Sequence, residues 1–290
     1  MLESIFSIAF ILQCVRITIP LALPALGATF SERGGVVNIA LEGILLIGAF
    51  ATTVITFYTQ QPLLGILAGI TAGIFVAVIH SFASITFKAD QIVSGIAINL
   101  FALGITKFSC QIIFNSSSNS SRIVGLEEFP LLLNPIVLAA ILLTFVSHFF
   151  LYKTGFGLRL RAVGEHPEAA DTLGISVTKL RYSGVLISGA LAGLGGAWLA
   201  LDQHSFTDGM SAGRGFIALA AMIIGKWKPI GAVTASLFFG VAESLVIQFQ
   251  GGSIPTQFIQ MIPYVMTMIV LAGFIGKAIP PAADGVAYEK

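Results

Sequence analysis

Residues 31–43 read Ser31-Glu32-Arg33-Gly34-Gly35-Val36-Val37-Asn38-Ile39-Ala40-Leu41-Glu42-Gly43, three charges and a glycine pair at the mouth of an apolar run. A Gly-Gly pair leaves helical geometry at little steric cost. Irregular backbone at membrane depth persists only where protein covers it or it lines a wet cavity. Asn38 and Glu42 lie four residues apart and share one helical face. A carboxylate one turn into a span is costly unless partnered, so Glu42 is a candidate for a transport path or gate. A structural hydrogen bond that pins a neighbouring helix fits the same pattern, and both readings stand. Pro20 and Pro24 in the preceding run predict kinks.

Working outward, the apolar setting covers the whole chain. Of its 290 residues 56% are apolar and 10% charged, with a mean hydropathy of +0.93, where soluble domains carry roughly 25% charged residues. At about 20 apolar residues per crossing the length accommodates about eight to ten helices and no separate soluble catalytic domain. The fold class is all-α and polytopic, because unbroken apolar runs satisfy their own backbone only as helices. A single transmembrane domain, 1–290, is expected. The net charge of +1 offers no basic surface for nucleic acid, and Cys14 and Cys110 lie far apart with no metal-like spacing. The N-terminal run lacks a basic n-region and a cleavage site and reads as a retained first span.

Apolar stretches fall at 5–28, 39–57, 63–87, 92–114, 131–152, 182–201, 215–225, 230–249 and 258–275, the seventh too short to cross alone. Segment 153–181 holds Lys153, Arg159, Arg161, Lys179 and Arg181 and is therefore cytoplasmic. Parity then places 31–38, 88–90, 226–228 and the tail 276–290 on the same side, with eleven of the fifteen basic residues. Arg122 and Arg214 fall outside, and the N-terminus is external. Gly65, Gly69 and Gly73, and again Gly189 and Gly193, recur every four residues and predict close helix contacts. The outer segment 115–130, rich in Ser and Asn, reads as a solvated loop.

Two further motifs stand out. Asp208-Gly209-Met210-Ser211-Ala212-Gly213-Arg214-Gly215-Phe216-Ile217-Ala218-Leu219 leads into the half-length segment closed by Gly225. Its Ile217-Ala218-Leu219 echoes Ile39-Ala40-Leu41, and parity brings the two copies in from opposite sides, the pattern of an inverted repeat around a central path. In the cytoplasm, Gly164-Glu165-His166-Pro167-Glu168-Ala169-Ala170-Asp171-Thr172-Leu173-Gly174-Ile175 predicts a short helix with Pro167 in its first turn and Gly174 at its close. Its Ala169, Ala170 and Leu173 form a small apolar face suited to docking. The chain has no Gly-x-x-x-x-Gly-Lys-Ser/Thr phosphate loop, so ATP hydrolysis by that route falls to another polypeptide.

These three motifs, 34–43, 164–175 and 215–227, resemble the bacterial ABC importer permease family that serves branched-chain amino acids, ribose-type sugars and nucleosides. Their combination is most similar to the shorter permease of the nucleoside branch. The resemblance implies a multi-pass subunit of the bacterial cytoplasmic membrane, similar in architecture to cobalamin-type importers, and not itself an enzyme. It also implies a second permease in a heterodimer, an extracytoplasmic binding lipoprotein or periplasmic protein, and a partner ATPase that binds ATP and Mg²⁺, with no cofactor in this chain. Segment 164–175 would be the coupling helix, through Glu165, His166, Pro167, Glu168, Ala169, Ala170 and Gly174. Asn38, Glu42, Gln91 and Asn99 are the candidate path residues, with interhelical hydrogen bonding as their alternative. Asp202, His204, Asp208 and Arg214 are candidates for contact with the binding protein. Sugars or branched-chain amino acids remain alternative cargoes. A rival class is an ion-coupled secondary transporter using Glu42 or Glu243.

Overall fold

The computed structural model describes residues 7–126, 129–250, 261, 265 and 278–289. Among them seven helices are long and apolar enough to cross a membrane, and one apolar helix is half-length. The first is α1 (Ile8–Arg33), opened by the Ser7 hydroxyl accepting the Phe10 N–H at 3.2 Å. Then come α2 (Leu41–Thr59), α3 (Pro62–Ser81) ending in a π turn over Phe82–Thr86, and α4 (Gln91–Phe114). Asp90 caps α4 by accepting the Ile92 and Val93 N–H groups. A 3₁₀ turn at Leu131–Leu133 precedes α5 (Pro135–Lys153), where Pro135 fills the first position and Asn134 caps Ile136. Two shorter helices, α6 (Gly155–Glu165) and α7 (Pro167–Thr172), lie in the segment expected in the cytoplasm, and α8 (Val177–Gln203), the half-length α9 (Arg214–Ile224) and α10 (Pro229–Phe249) follow. The ninth apolar stretch, 258–275, lies outside the described residues apart from Met261 and Val265.

The first eight predicted stretches reappear with shifted ends, and one shift matters. α8 starts at Val177, not at residue 182, so Arg181 belongs to a membrane helix rather than to the cytoplasmic segment. Segment 153–181 is itself mostly helical.

α8 is the centre of the bundle. Of its most apolar window 83% is buried, against 28% for α4. Glycine lets α8 take that place: a methyl group on Gly73 would collide with the Gly189 carbonyl, and one on Gly193 with the Gly69 carbonyl. The two small-residue stripes expected from the sequence thus pack against each other, α3 on α8. Gly48 of α2 joins them, since a methyl there would sit 2.9 Å from Gly193.

Segments assigned to the cytoplasm by charge meet at one end of the bundle. Arg33 approaches Glu165 at 3.7 Å and donates to the Trp227 carbonyl at 3.0 Å, Ala283 N–H donates to Gly164, and Lys88 pairs with Glu289 at 3.2 Å. At the other end Arg16 pairs with Asp202 and Lys107 with Asp208. The outer loop is not loose there. Ser120, Ile123 and Asp208 exchange backbone hydrogen bonds with the partner strand of loop, closing an antiparallel bridge between Asn119 and Thr207.

Candidate functional site

Between α1 and α2 the chain leaves helical geometry at Gly35, with φ +81°, and travels as irregular backbone to Leu41. Its peptide groups are met by side chains from two helices, α3 and α4. Gln91 accepts the Val37 N–H at 2.7 Å, and His80 Nε2 faces the Val37 carbonyl at 3.1 Å while its Nδ1 meets the Ser94 hydroxyl. A neutral imidazole satisfies both contacts, donating from Nε2 and accepting at Nδ1. Asn99 donates to the Ile39 carbonyl at 3.0 Å and accepts the Gly43 N–H at 2.8 Å. It thereby caps α2, whose own N-cap residue, Ala40, has no side chain able to do so. Asn38 donates to Ser188 on α8.

The second irregular segment, 205–213, turns at Gly213 with φ +82° and starts α9. With 11 residues α9 is about 16 Å long, half the bilayer core. Its C-terminal turn meets the cytoplasmic end of α1, so its N-terminus lies near mid-membrane. There Glu42 accepts the Gly213 N–H at 2.8 Å and the Gly215 N–H at 2.7 Å. A carboxylate at the positive end of a helix is stabilised by the unpaired amides and by the helix dipole. Gly215 is required for this approach, because a methyl on it would collide with the Glu42 backbone. The two motifs matched in sequence therefore meet through their helix N-termini.

Asn38, Gln91 and Asn99 are buried, and their hydrogen bonds run to backbone or to Ser188; Glu42 is partly exposed. All four gather around one pair of helix starts. Arg214, expected at the outer rim, turns inward and pairs with Glu243 of α10 at 3.1 Å. Asp202, His204 and Asp208 gather at the end of the bundle opposite α6 and α7, where Arg16, Trp198, Phe129 and Asn134 line with Asp202 and His204 a cavity of about 200 Å³.

At the cytoplasmic end Pro167 opens α7 as expected, and Gly174 takes φ +76°. Glu168, Ala169 and Leu173 are exposed. Ala170 corrects the expected docking face: it turns inward, 3% exposed, against Val163 and Val177. The sequence reading also missed a buried cluster beside this helix. Trp227 donates its indole N–H to Glu32 at 2.6 Å, Asp284 of the tail hydrogen-bonds Glu32, and Arg181, 2% exposed, donates to the Val286 carbonyl at 2.8 Å. Burial pushes the Asp284 carboxyl up to about 7 against the opposing pull of Glu32 and Arg181. The available sequence signals were the lone His80 in an apolar run and the carboxylate and Trp at segment ends, none of which names a partner.

Residues 10–271 match the family described as branched-chain amino acid transport system / permease component. The chain is 46% identical to the guanosine ABC transporter permease protein NupQ of Bacillus subtilis, over 93% of each chain. It is 45% identical to the nucleoside ABC transporter permease protein NupC of Lactococcus lactis, again over 93% of each. A second Bacillus subtilis guanosine ABC transporter permease protein, NupP, is 26% identical over 92% of this chain and 80% of its own length.

Proposed function

The chain belongs to this permease family as a multi-pass membrane subunit of an ABC transporter, and from that premise we propose that its cargo is a nucleoside, with guanosine the first to test. The observation that carries the cargo is the 46% identity to a guanosine permease protein over nearly the full length of both. Ribose-type sugars and branched-chain amino acids are the competing cargoes within the same family.

The work comes from a separate ATPase that binds ATP and Mg²⁺ and seats on the exposed face of α7, at Pro167, Glu168, Ala169 and Leu173. A second permease completes the membrane unit; the pair NupQ and NupP in one organism supports two unlike subunits. A binding protein delivers cargo to the outer end near Asp202, His204 and Asp208. Asn38, Gln91 and Asn99 serve the path by fixing its wall, and Glu42 joins the full-length α2 to the half-length α9, the two helix starts that must tilt for access to alternate. Coupling requires the two states to bind the ATPase differently. A secondary carrier is disfavoured by chemistry, because Glu42 is occupied by two amide N–H groups and Glu243 by Arg214.

Guanosine uptake into proteoliposomes holding the complete importer tests this. ATP-dependent guanosine uptake is expected, falling at least about tenfold in Ala169→Asp as ATPase docking weakens, with the melting temperature unchanged because the site is exposed. Ala170→Asp instead buries a charge and lowers the melting temperature. Ribose uptake without guanosine uptake would overturn the cargo. Accumulation by this chain alone under an ion gradient would overturn the class.

A further inference from the structure

We propose that the C-terminal tail, residues 278–289, is a transmission strap pinned by Arg181, linking α6 and α7 to the irregular segment that starts α2. The inference rests on the reading of α7 as the ATPase seat. The tail grips both cytoplasmic helices: Ala283 N–H donates to the Gly164 carbonyl at 2.9 Å, Ala282 N–H to Glu165 at 3.2 Å, and the Tyr288 hydroxyl hydrogen-bonds Asp171 at the far end of α7. On its other side the tail meets Gly35, the residue at which α1 gives way to irregular backbone. A methyl on Gly35 would lie 3.0 Å from Arg181 Nη2, 3.1 Å from the Ala283 carbonyl and 3.4 Å from the Gly164 Cα. Gly35 is thus clasped by the pin, the strap and α6, so a shift of α7 reaches it by two routes.

The pin itself has spare bonding capacity. Arg181 is 2% exposed, yet its Nε and Nη2, and the buried Asp284 Oδ1, have no hydrogen-bond partner among the described residues. Buried polar groups are nearly always paired. Two orphaned guanidinium donors near an orphaned carboxylate oxygen mark a second arrangement, with Arg181 closed directly onto Asp284, that is reached by moving the strap. The cluster as described is one of two settings.

The test uses the complete importer with its ATPase trapped by ATP and vanadate, and reads amide exchange over residues 34–40 and over α7 separately. In the wild type trapping changes exchange in both. In Arg181→Met the α7 response persists while the response of 34–40 shrinks at least about threefold, and Arg181→Lys restores part of it. An equal response of 34–40 in wild type and Arg181→Met overturns the strap, as does a loss of both responses in an assembled complex, which would show a merely structural role. If Arg181→Met does not assemble, Asp284→Asn with Tyr288→Phe, both in the tail, must shrink the 34–40 response, and an unchanged response overturns the proposal. The readout needs no cargo. Failure of the guanosine reading appears only in uptake, and failure of the ATPase seat appears as an α7 that does not respond even in the wild type.

Discussion

Residues 34–40 and residues 205–213 both descend as irregular backbone to a helix start, both turn at a glycine of nearly equal positive φ, and they are held by opposite chemistry. The first is braced by neutral groups, His80, Gln91, Asn99 and Ser188, in nearly full burial. The second hangs on charge, through the Glu42 carboxylate at its amides and the Arg214–Glu243 pair, in partly exposed surroundings. Neutral amide bonds hold a backbone in one register and tolerate burial, whereas a partly exposed carboxylate bridge strengthens or weakens with its surroundings. The difference marks the first segment as one that keeps its register and moves as a unit, and the second as one whose hold is graded by charge, with Glu42 shared between them.

Four experiments break or sharpen that contrast. Glu42→Ala removes the bridge and strands two amides at the start of α9, costing about 3 kcal/mol of stability and most of the uptake; thermal unfolding of the purified subunit and uptake by the importer measure both. Asn99→Leu strips the cap of α2 and the brace on Ile39, for about 2 kcal/mol. If the first segment is held as a unit of its own, that loss appears in thermal unfolding and leaves exchange in 205–213 unchanged.

The third experiment acts on the first segment alone, through the tail that leans on Gly35. Asp284 binds its proton more tightly in the docked tail than when free, with burial the main cause and Glu32 and Arg181 opposing it. The resulting stabilisation is complete below the ordinary aspartate range and is lost as pH rises through about 7. Tail protection in hydrogen exchange should therefore fall about tenfold from pH 6 to pH 8 after correction for intrinsic rates, and Asp284→Asn should flatten the dependence. The smallest effect belongs to Arg214 and Glu243. A double-mutant cycle with alanine should return about 0.5–1 kcal/mol of coupling if the exposed parts of both side chains, 19% and 32%, face a wet path that screens them. A coupling several times larger would place the pair among the rigid supports and erase the distinction.

Much of this architecture was legible in the chain. Unbroken apolar runs leave helices as the solution for the spans, and the parity that put eleven basic residues on one side grouped loops that do meet at one end, through Arg33, Gly164, Trp227 and Ala283. The stripes Gly65-Gly69-Gly73 and Gly189-Gly193 announced contact, and the motifs at 34–43 and 215–227 announced each other. Partners were another matter. Asn38, Glu42, Gln91 and Asn99 were singled out because polar groups in a span need company, yet nothing in their spacing says that the company is backbone for three of them and Ser188 for Asn38.

The sequence by itself determined which of the described segments are long and apolar enough to cross, which loops share a side, and where the helices break, because these follow from local hydropathy, glycine and charge. Only the tertiary structure decided that Glu42 caps α9 from 171 residues away, that Arg214 turns inward to Glu243, that Ala170 is buried while Ala169 is not, and that Arg181 lies under the tail. Those are pairings between distant segments, and a side chain's type states only that it needs a partner, while packing selects which one it meets.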